Sequence, residues 1–563
     1  MTHPADHATL PNFRRQRGAA ALMTTLFLLI VVAMAVLVSL GMSGSDMSDS
    51  SSQHSSVSAL FLAESGLERA RRRFFDGTVC TSLGVDGPHN LGQGSFIVNS
   101  GVNTDFDGVT VLPVNQCRVQ VTGRITATNV ARTIEGVIQM GVKVQQGSFT
   151  KRTAGTGSQA ITGIGFQPRA VIFFWTRQTA TGFTAQNSRV NFGVGFATSS
   201  ANERAVSVTA RDRRGSSDDG RRRSETNAII FLTDGGPPTL VAQAQLTSLD
   251  ADGFTLDWNT INDTNAYIVH YIALGGDITN ALASSFDLTN AGGNQSVAGL
   301  GFQPDLVLFL WGFTETVDVN TGNAEIGLGF AQSSTARAAL VYAGRDGAGN
   351  NTEKRWQQRN TAAILLLTPN ASPPNQDAIV DFVSMDADGF TLNKTVAPTG
   401  NRPIFYLALK GGSHAVGALS QPAATGLQAT TGLGFQPQEL ILASFNLAAT
   451  NNISGSGVLG SAGGFSLGAA QSATARGGVW FQDRSDNDPS DANTYTNTAD
   501  VLTMAYGTAN GNADGNPVET ARADLSTFDS SGFTLNWTAA NTTARQILYW
   551  AVGSGAPVVR WRE

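Results

Sequence analysis

TGIGFQPRAVIFFW (162–175), AGLGFQPDLVLFLW (298–311) and TGLGFQPQELILAS (431–444) are three copies of one motif. A second block follows each copy: NFGVGFATSS (191–200), EIGLGFAQSS (325–334) and GFSLGAAQSA (464–473). A third reads SLDADGFTLDW (248–258), SMDADGFTLNK (384–394) and TFDSSGFTLNW (527–537), and a fourth YIALGG (271–276), YLALKGG (406–412) and WAVGSG (550–555). The order never changes, so the unit is roughly 135 residues long, the size of a domain and not of a solenoid turn. AVIFFW, LVLFLW and ELILA are unbroken apolar runs, as strands covered on both faces require. The QP pair turns the chain into the strand, and DADG before FTL reads as a hairpin with Gly at a positive φ. No stretch keeps a helical period. Each copy is therefore expected to be an all-β, two-sheet sandwich, jelly-roll-like, with boundaries at 146–283, 284–415 and 416–563.

The totals agree with a β-rich protein outside the cytosol. Charged residues are 14% of the 563 and apolar residues 41%, while Gly reaches 62. The charged share is well under the usual ~25%. A net charge of −6 argues against a general nucleic-acid binder. Six His and two Cys exclude a Cys/His zinc framework and a disulfide-dense scaffold.

The N-terminal part has a different character. Residues 1–18 are polar and end in Arg14, Arg15, Gln16, Arg17 and Gly18. AAALMTTLFLLIVVAMAVLVSL (19–40) follows without a charge. As a helix it spans ~33 Å, enough for a ~30 Å hydrocarbon core. The arginines before it predict a single-pass segment with a cytoplasmic N-terminus and everything after Leu40 on the outer side. A secretory signal peptide and a plain membrane anchor are the competing readings, though the apolar stretch is long for the first. In VSALFLAESGLERARRRFF (57–75), Val57, Leu60, Phe61, Leu67, Ala70 and Phe74 keep three- and four-residue steps, with Glu68 placed for Arg72. One helix over residues 19–75 is predicted, ~85 Å long.

RQRG, AAALMTTLFLLIVV and FLAESGLERA together resemble a type IV pilin, and most of all the PilX/MshP class of minor pilins of mannose-sensitive hemagglutinin (MSHA) pilus biogenesis. The resemblance covers residues 14–142. It implies a single-pass inner-membrane precursor with a periplasmic C-terminus, a prepilin leader at 1–18, cleavage between Gly18 and Ala19 by a prepilin peptidase, and methylation of the new amine of Ala19. It also implies an α+β pilin-like module, a long hydrophobic helix on a small antiparallel sheet. Its partners would be other pilins and minor pilins, met through that helix. Major pilins carry Glu at the fifth mature position, where this chain has Met23. A subunit lacking that acid cannot pair with a neighbour's amine, which fits a filament tip better than a shaft.

Residues 76–145 hold both cysteines. In an oxidising compartment Cys80 and Cys117 are expected to pair, contributing about 4 kcal/mol on the chain-entropy model. CRVQVTGRITATNVARTIEGVIQMGV (117–142) alternates at period two, predicting antiparallel strands joined near residues 127–129.

Candidate sites are few. Asp250 and Asp252, with Asp386 and Asp388, suggest calcium, because spaced carboxylates in a tight turn offer oxygen ligands; a hairpin turn alone explains them as well. Trp175, Trp311, Trp258 and Trp537 would stack on sugar rings if exposed, or fill the core if not. RDRRGSSDDGRRRSE (211–225) and its counterparts at 344–359 and 482–495 read as exposed loops of variable charge, where binding specificity is often carried. No nucleophile elbow, P-loop or H-E-x-x-H is present, and the histidines are isolated. Neither an enzyme nor a cofactor is expected. The functional expectation is a minor pilin with a three-domain appendage at a pilus tip, acting as an adhesin or spacer on a glycan or surface ligand. The alternative is a membrane-anchored surface or periplasmic binding protein that does not polymerise.

Overall fold

The computed structural model describes residues 46–562 apart from 76–77, 113–114, 184–188, 212–213, 314–315, 350–352, 447–452, 456–463, 485–489, 507–517 and 555–559. Among these the chain is nearly all β. Its one α-helix is Asp46–Phe75 (α1), followed by a 3-10 turn at Cys80–Ser82.

This corrects the expected N-terminal fold. The helix opens with the Ser-rich stretch DMSDSSSQHSS and closes with RARRRFF, so it has no bilayer-length apolar run. No helix among the described residues is long and apolar enough to cross a membrane. The long hydrophobic helix of a pilin module, and the single-pass inner-membrane precursor inferred from it, are accordingly withdrawn. Residues 1–45, on which both rested, lie outside the described residues, as do Gly18 and Ala19.

The packed face of α1 also differs from the expected stripe. Ala59, Leu62, Ala63, Leu67, Ala70 and Phe74 are buried, whereas Val57 and Phe61 are exposed. Small residues set this choice, because they let the helix settle closely on a five-stranded antiparallel sheet. That sheet runs Asp86–Leu91, Gly94–Val102, Gln116–Ile125, Ala131–Gln139 and Arg560–Arg562. A Cβ on Gly123 would stand 2.1 Å from the Ala59 carbonyl oxygen. Glu68 pairs with Arg71, at 3.3 Å. Asn129 makes the expected turn at φ 59°. Cys80 and Cys117 form the expected disulfide. The last strand returns from the far end of the chain.

Each repeat folds into a two-sheet, sandwich-like unit. In the first, the four-stranded sheet is ordered Ile229–Leu232, Leu240–Asp250, Gly253–Ile261 and Gly157–Thr162. The larger sheet is ordered Val142–Thr150, Ile268–Gly276, Ala170–Thr176, Arg189–Ser199, Asn202–Arg211 and Asp219–Ser224. The opening strands of the three repeats begin at Val142, Asn280 and Ser413, a few residues before the expected boundaries.

The sequence motifs form one clasp. Gly163 N and Gly165 N donate to Asp252 at 3.1 and 2.5 Å; Gly299 N and Gly301 N donate to Asp388 at 3.0 and 2.6 Å. In the third copy Gly434 N donates to Ser531 Oγ at 3.0 Å. The Gln of each GFQP returns a bond to the hairpin: Gln167 to Leu249 O, Gln303 to Met385 O and Gln436 to Phe528 O.

The repeats are not beads in a row. Their larger sheets face one another around a common axis and share a single apolar core, with Phe174 and Phe192 of the first repeat, Leu308 and Phe330 of the second, and Ile441 and Phe465 of the third. Three short strands close the ring. Thr321–Gly322 of the second repeat extends the first repeat's sheet at Asp219–Ser224. Ile453–Gly455 of the third extends the second's at Lys354–Arg359. Gly182–Phe183 of the first extends the third's at Ala492–Asn497.

The charged run expected to be a solvated loop is part of these junctions. Every residue of Asp219–Ser224 is buried. Arg223 lies 4.2 Å over the ring of Phe405 in the next repeat. At the equivalent places Gln358 donates to Gln546 O at 3.1 Å, and Thr496 Oγ1 lies 2.8 Å from His270 Nε2. The copies vary here because each junction uses a different chemistry.

Candidate functional site

The four tryptophans are closed to a ligand. Trp175, Trp258, Trp311 and Trp537 are at most 1% exposed. Trp258 and Trp537 donate their indole N–H to Gln159 and Gln428, at 2.7 and 2.8 Å. Lys394, which replaces them in the second copy, donates to the equivalent Gln295 at 2.8 Å. The Trp/Lys exchange thus preserves a part-buried hydrogen bond, and with all four rings inside the core the sugar-stacking reading of these positions is withdrawn.

The aspartates are turn-holders. Asp250 accepts from Ser248 Oγ and Thr255 Oγ1, and Asp386 from Ser384 Oγ and Thr391 Oγ1, while Asp252 and Asp388 take the glycine N–H groups above. Among the described residues no group of three or more His, Cys, Asp or Glu side chains is arranged to hold a metal ion. Each of these carboxylates accepts two hydrogen bonds from the protein itself.

A cleft of about 550 Å³ lies where the end of α1 meets the third and first repeats. Its walls include Phe75, Phe166, Phe528, Gln436, Gln438 and Gln471. The hairpin of the third copy supplies Phe528, the GFQP turns of the two repeats supply Phe166 and Gln436, and Gln438 follows in strand Pro437–Ser444. Gln471 bridges the junction: its Oε1 accepts from Gln146 N at 3.1 Å and its Nε2 donates to Val144 O at 2.8 Å. Gln438 accepts from Ser554 Oγ at 3.2 Å, and Ser554 Oγ accepts in turn from Val142 N at 2.9 Å. Among the described residues the amide nitrogen of Gln438 has no protein partner. Lys143 completes the wall, its ammonium 5.5 Å over the Phe75 ring.

Two features set this cleft apart from the corresponding places at the other junctions. Gln438 aligns with Arg169 and Asp305, and Phe528 with Leu249 and Met385, so only here are neutral amides combined with a third aromatic ring. Phe75 belongs to α1 and has no counterpart in the repeats. Asp277 helps hold α1's sheet in place, since Asn115 Nδ2 and Gln139 Nε2 of the small module both donate to its carboxylate. Burial raises the Asp277 carboxyl above its ordinary range, and the amide donors oppose that rise.

Neither His270 nor His414 lines the cleft. Both are buried, at 0% and 5% exposure, and burial lowers each to about 4. The cleft offers apolar faces edged by amide donors and acceptors. Sequence reasoning missed all its lining residues; the one signal was the drift of Gln438 and Phe528 from their counterparts within otherwise repeated motifs. No family model matches the chain, and no curated protein matches it with significance.

Proposed function

We propose that the chain is a non-enzymatic surface-binding protein, an adhesin-type head that takes a saccharide in the cleft between its third and first repeats. The observation that carries this reading is the pairing of three phenylalanines with three glutamines in one concave site. Aromatic faces suit the C–H surface of a sugar ring, and neutral amides suit its hydroxyls. The test is a glycan screen of the whole chain followed by titration calorimetry. Binding that is lost in both Phe528→Ala and Gln438→Ala supports the reading. Absence of any glycan signal, or binding unchanged in both variants, overturns it.

A second reading concerns what the head is mounted on. What supports a pilus-associated subunit is the likeness of RQRG, AAALMTTLFLLIVV and FLAESGLERA to minor pilins, not the fold of α1. Mass spectrometry of the mature chain from its own cells tests this. A chain beginning at methylated Ala19 and recovered in sheared fibres supports it; a chain that retains residues 1–18 and is absent from fibres sinks it.

A further inference from the structure

At the ring's axis the three repeats meet in a small polar cluster enclosed by aromatic rings. Asp219 opens the interface strand of the first repeat and Lys354 the equivalent strand of the second; the third copy has Ala492 there. Asp483 closes the neighbouring strand of the third repeat. Lys354, Asp219 and Asp483 are each buried to 1% exposure or less. Lys354 Nζ lies 2.5 Å from both carboxyl oxygens of Asp219 and 2.6 Å from Asp483 Oδ2. The Tyr342 hydroxyl donates to Asp483, and it lies 3.5 Å from Asp219 Oδ1. Its ring stacks on Trp356 and meets Phe481 edge-on.

We propose that this cluster is a site of spontaneous isopeptide-bond formation, in which Lys354 Nζ is joined to Asp219 Cγ and Asp483 serves as the proton carrier. An amine held against a carboxyl in a water-excluded site reacts with a very high effective concentration. Burial also disfavours two charged partners relative to neutral ones, which brings the free amine and the free acid within reach. Burial pushes the Asp219 carboxyl well up, supplying the neutral acid that acylation needs. For Lys354 burial acts downward, but the facing carboxyl groups of Asp219 and Asp483 outweigh it, so the ammonium must hand a proton to Asp483 before it can attack.

The atoms balance within the cluster. Asp483 carboxylate takes one proton from the Lys354 ammonium. The Nζ–Cγ bond forms, and the Asp219 C–OH bond breaks. The attacking nitrogen gives up a second proton, which departs with the hydroxyl as water. Lys354 is left as an amide N–H and Asp483 as an acid, with no oxidant, metal or co-substrate consumed. The product covalently ties the first repeat to the second at the axis and removes an ion pair from the core.

Peptide mapping of the purified full chain by tandem mass spectrometry tests this. A branched peptide joining Lys354 to Asp219, lighter by one water than its two parts, is expected. Asp483→Asn should give the two peptides unjoined while the far-UV spectrum stays β-rich. Lys354→Arg, which keeps the charge, should abolish the link as well. Should either variant fail to fold, the wild-type map still decides. Separate, unmodified Lys354 and Asp219 peptides overturn the proposal, and a link to Asp483 instead overturns the assigned roles.

Discussion

Trp175 lies across the bare backbone of Gly193, where an added Cβ would fall 2.3 Å from the indole Cζ2. Trp311 and Gly327 repeat this pairing in the second copy, while the third has Ser444 opposite Ser466. The two positions therefore change together. Gly193→Ser alone should destabilise the protein by about 1–3 kcal/mol through overpacking. The double variant Trp175→Ser/Gly193→Ser should cost less than the sum of the two single changes. Urea denaturation in a double-mutant cycle reads this coupling; strict additivity would show that the two side chains do not share the space.

Glu439 occupies a place held by Ala170 and Leu306 in the other copies. It is fully buried, and neither carboxyl oxygen has a partner among the described residues. Burial alone raises its carboxyl well above the ordinary range. Glu439→Leu should stabilise the fold by about 1–3 kcal/mol near neutral pH. The folded value lies above the unfolded one, so the wild type loses stability as pH rises beyond the unfolded value. The advantage of the variant in melting temperature should therefore be larger at pH 7 than at pH 4.

His270 and His414 pull the other way. Their folded values of about 4 lie below the ordinary 6.5, so the unfolded chain binds the proton first. The stability from each neutral ring is whole above pH 6.5 and lost as pH falls through 4, a change of roughly 3 kcal/mol per ring. Leu548 stands at the place of His270 in the third repeat. His270→Leu should remove about half of this acid-side loss. Thermal melts from pH 7 to pH 4 measure it, and an acid limb as steep as that of the wild type would contradict the assignment.

The clasp at Asp252 needs no cation. Dialysis against EDTA should leave the melting temperature unchanged, and added calcium should not raise it. Asp252→Ala should cost about 1 kcal/mol by releasing Gly163 N and Gly165 N, and Asp252→Ser, copying Ser531, should recover part of that.

What could be read from the sequence was whatever local pattern enforces. The GFQP and DADG blocks recur because they bond to each other within every copy, so three sandwich-like units were visible at once. Trp175 and Trp258 stood out as chemistry but serve as core, since composition does not say which way a strand faces. The run around Arg221–Arg223 looked solvated because charge usually is; its burial depends on a neighbour some 180 residues away at Phe405. Ring closure left no trace, because two-residue strands such as Gly182–Phe183 have no period to detect. The cleft was hidden for the same reason: Phe166 and Phe528 are neighbours only once the third repeat has met the first.

The small sheet grips the head at two adjacent points. The chain leaves strand Ala131–Gln139 to begin the first repeat at Val142, and after the third it comes back as Arg560–Arg562, paired to that same strand through Val137, Gly136 and Glu135. Traction applied through the small sheet thus reaches the three units at both ends together. Tandem domains strung in series would each bear the full load and unravel in turn. Here the short pairing at Glu135 and Arg562 would shear first, and the three units would be spared until it had gone.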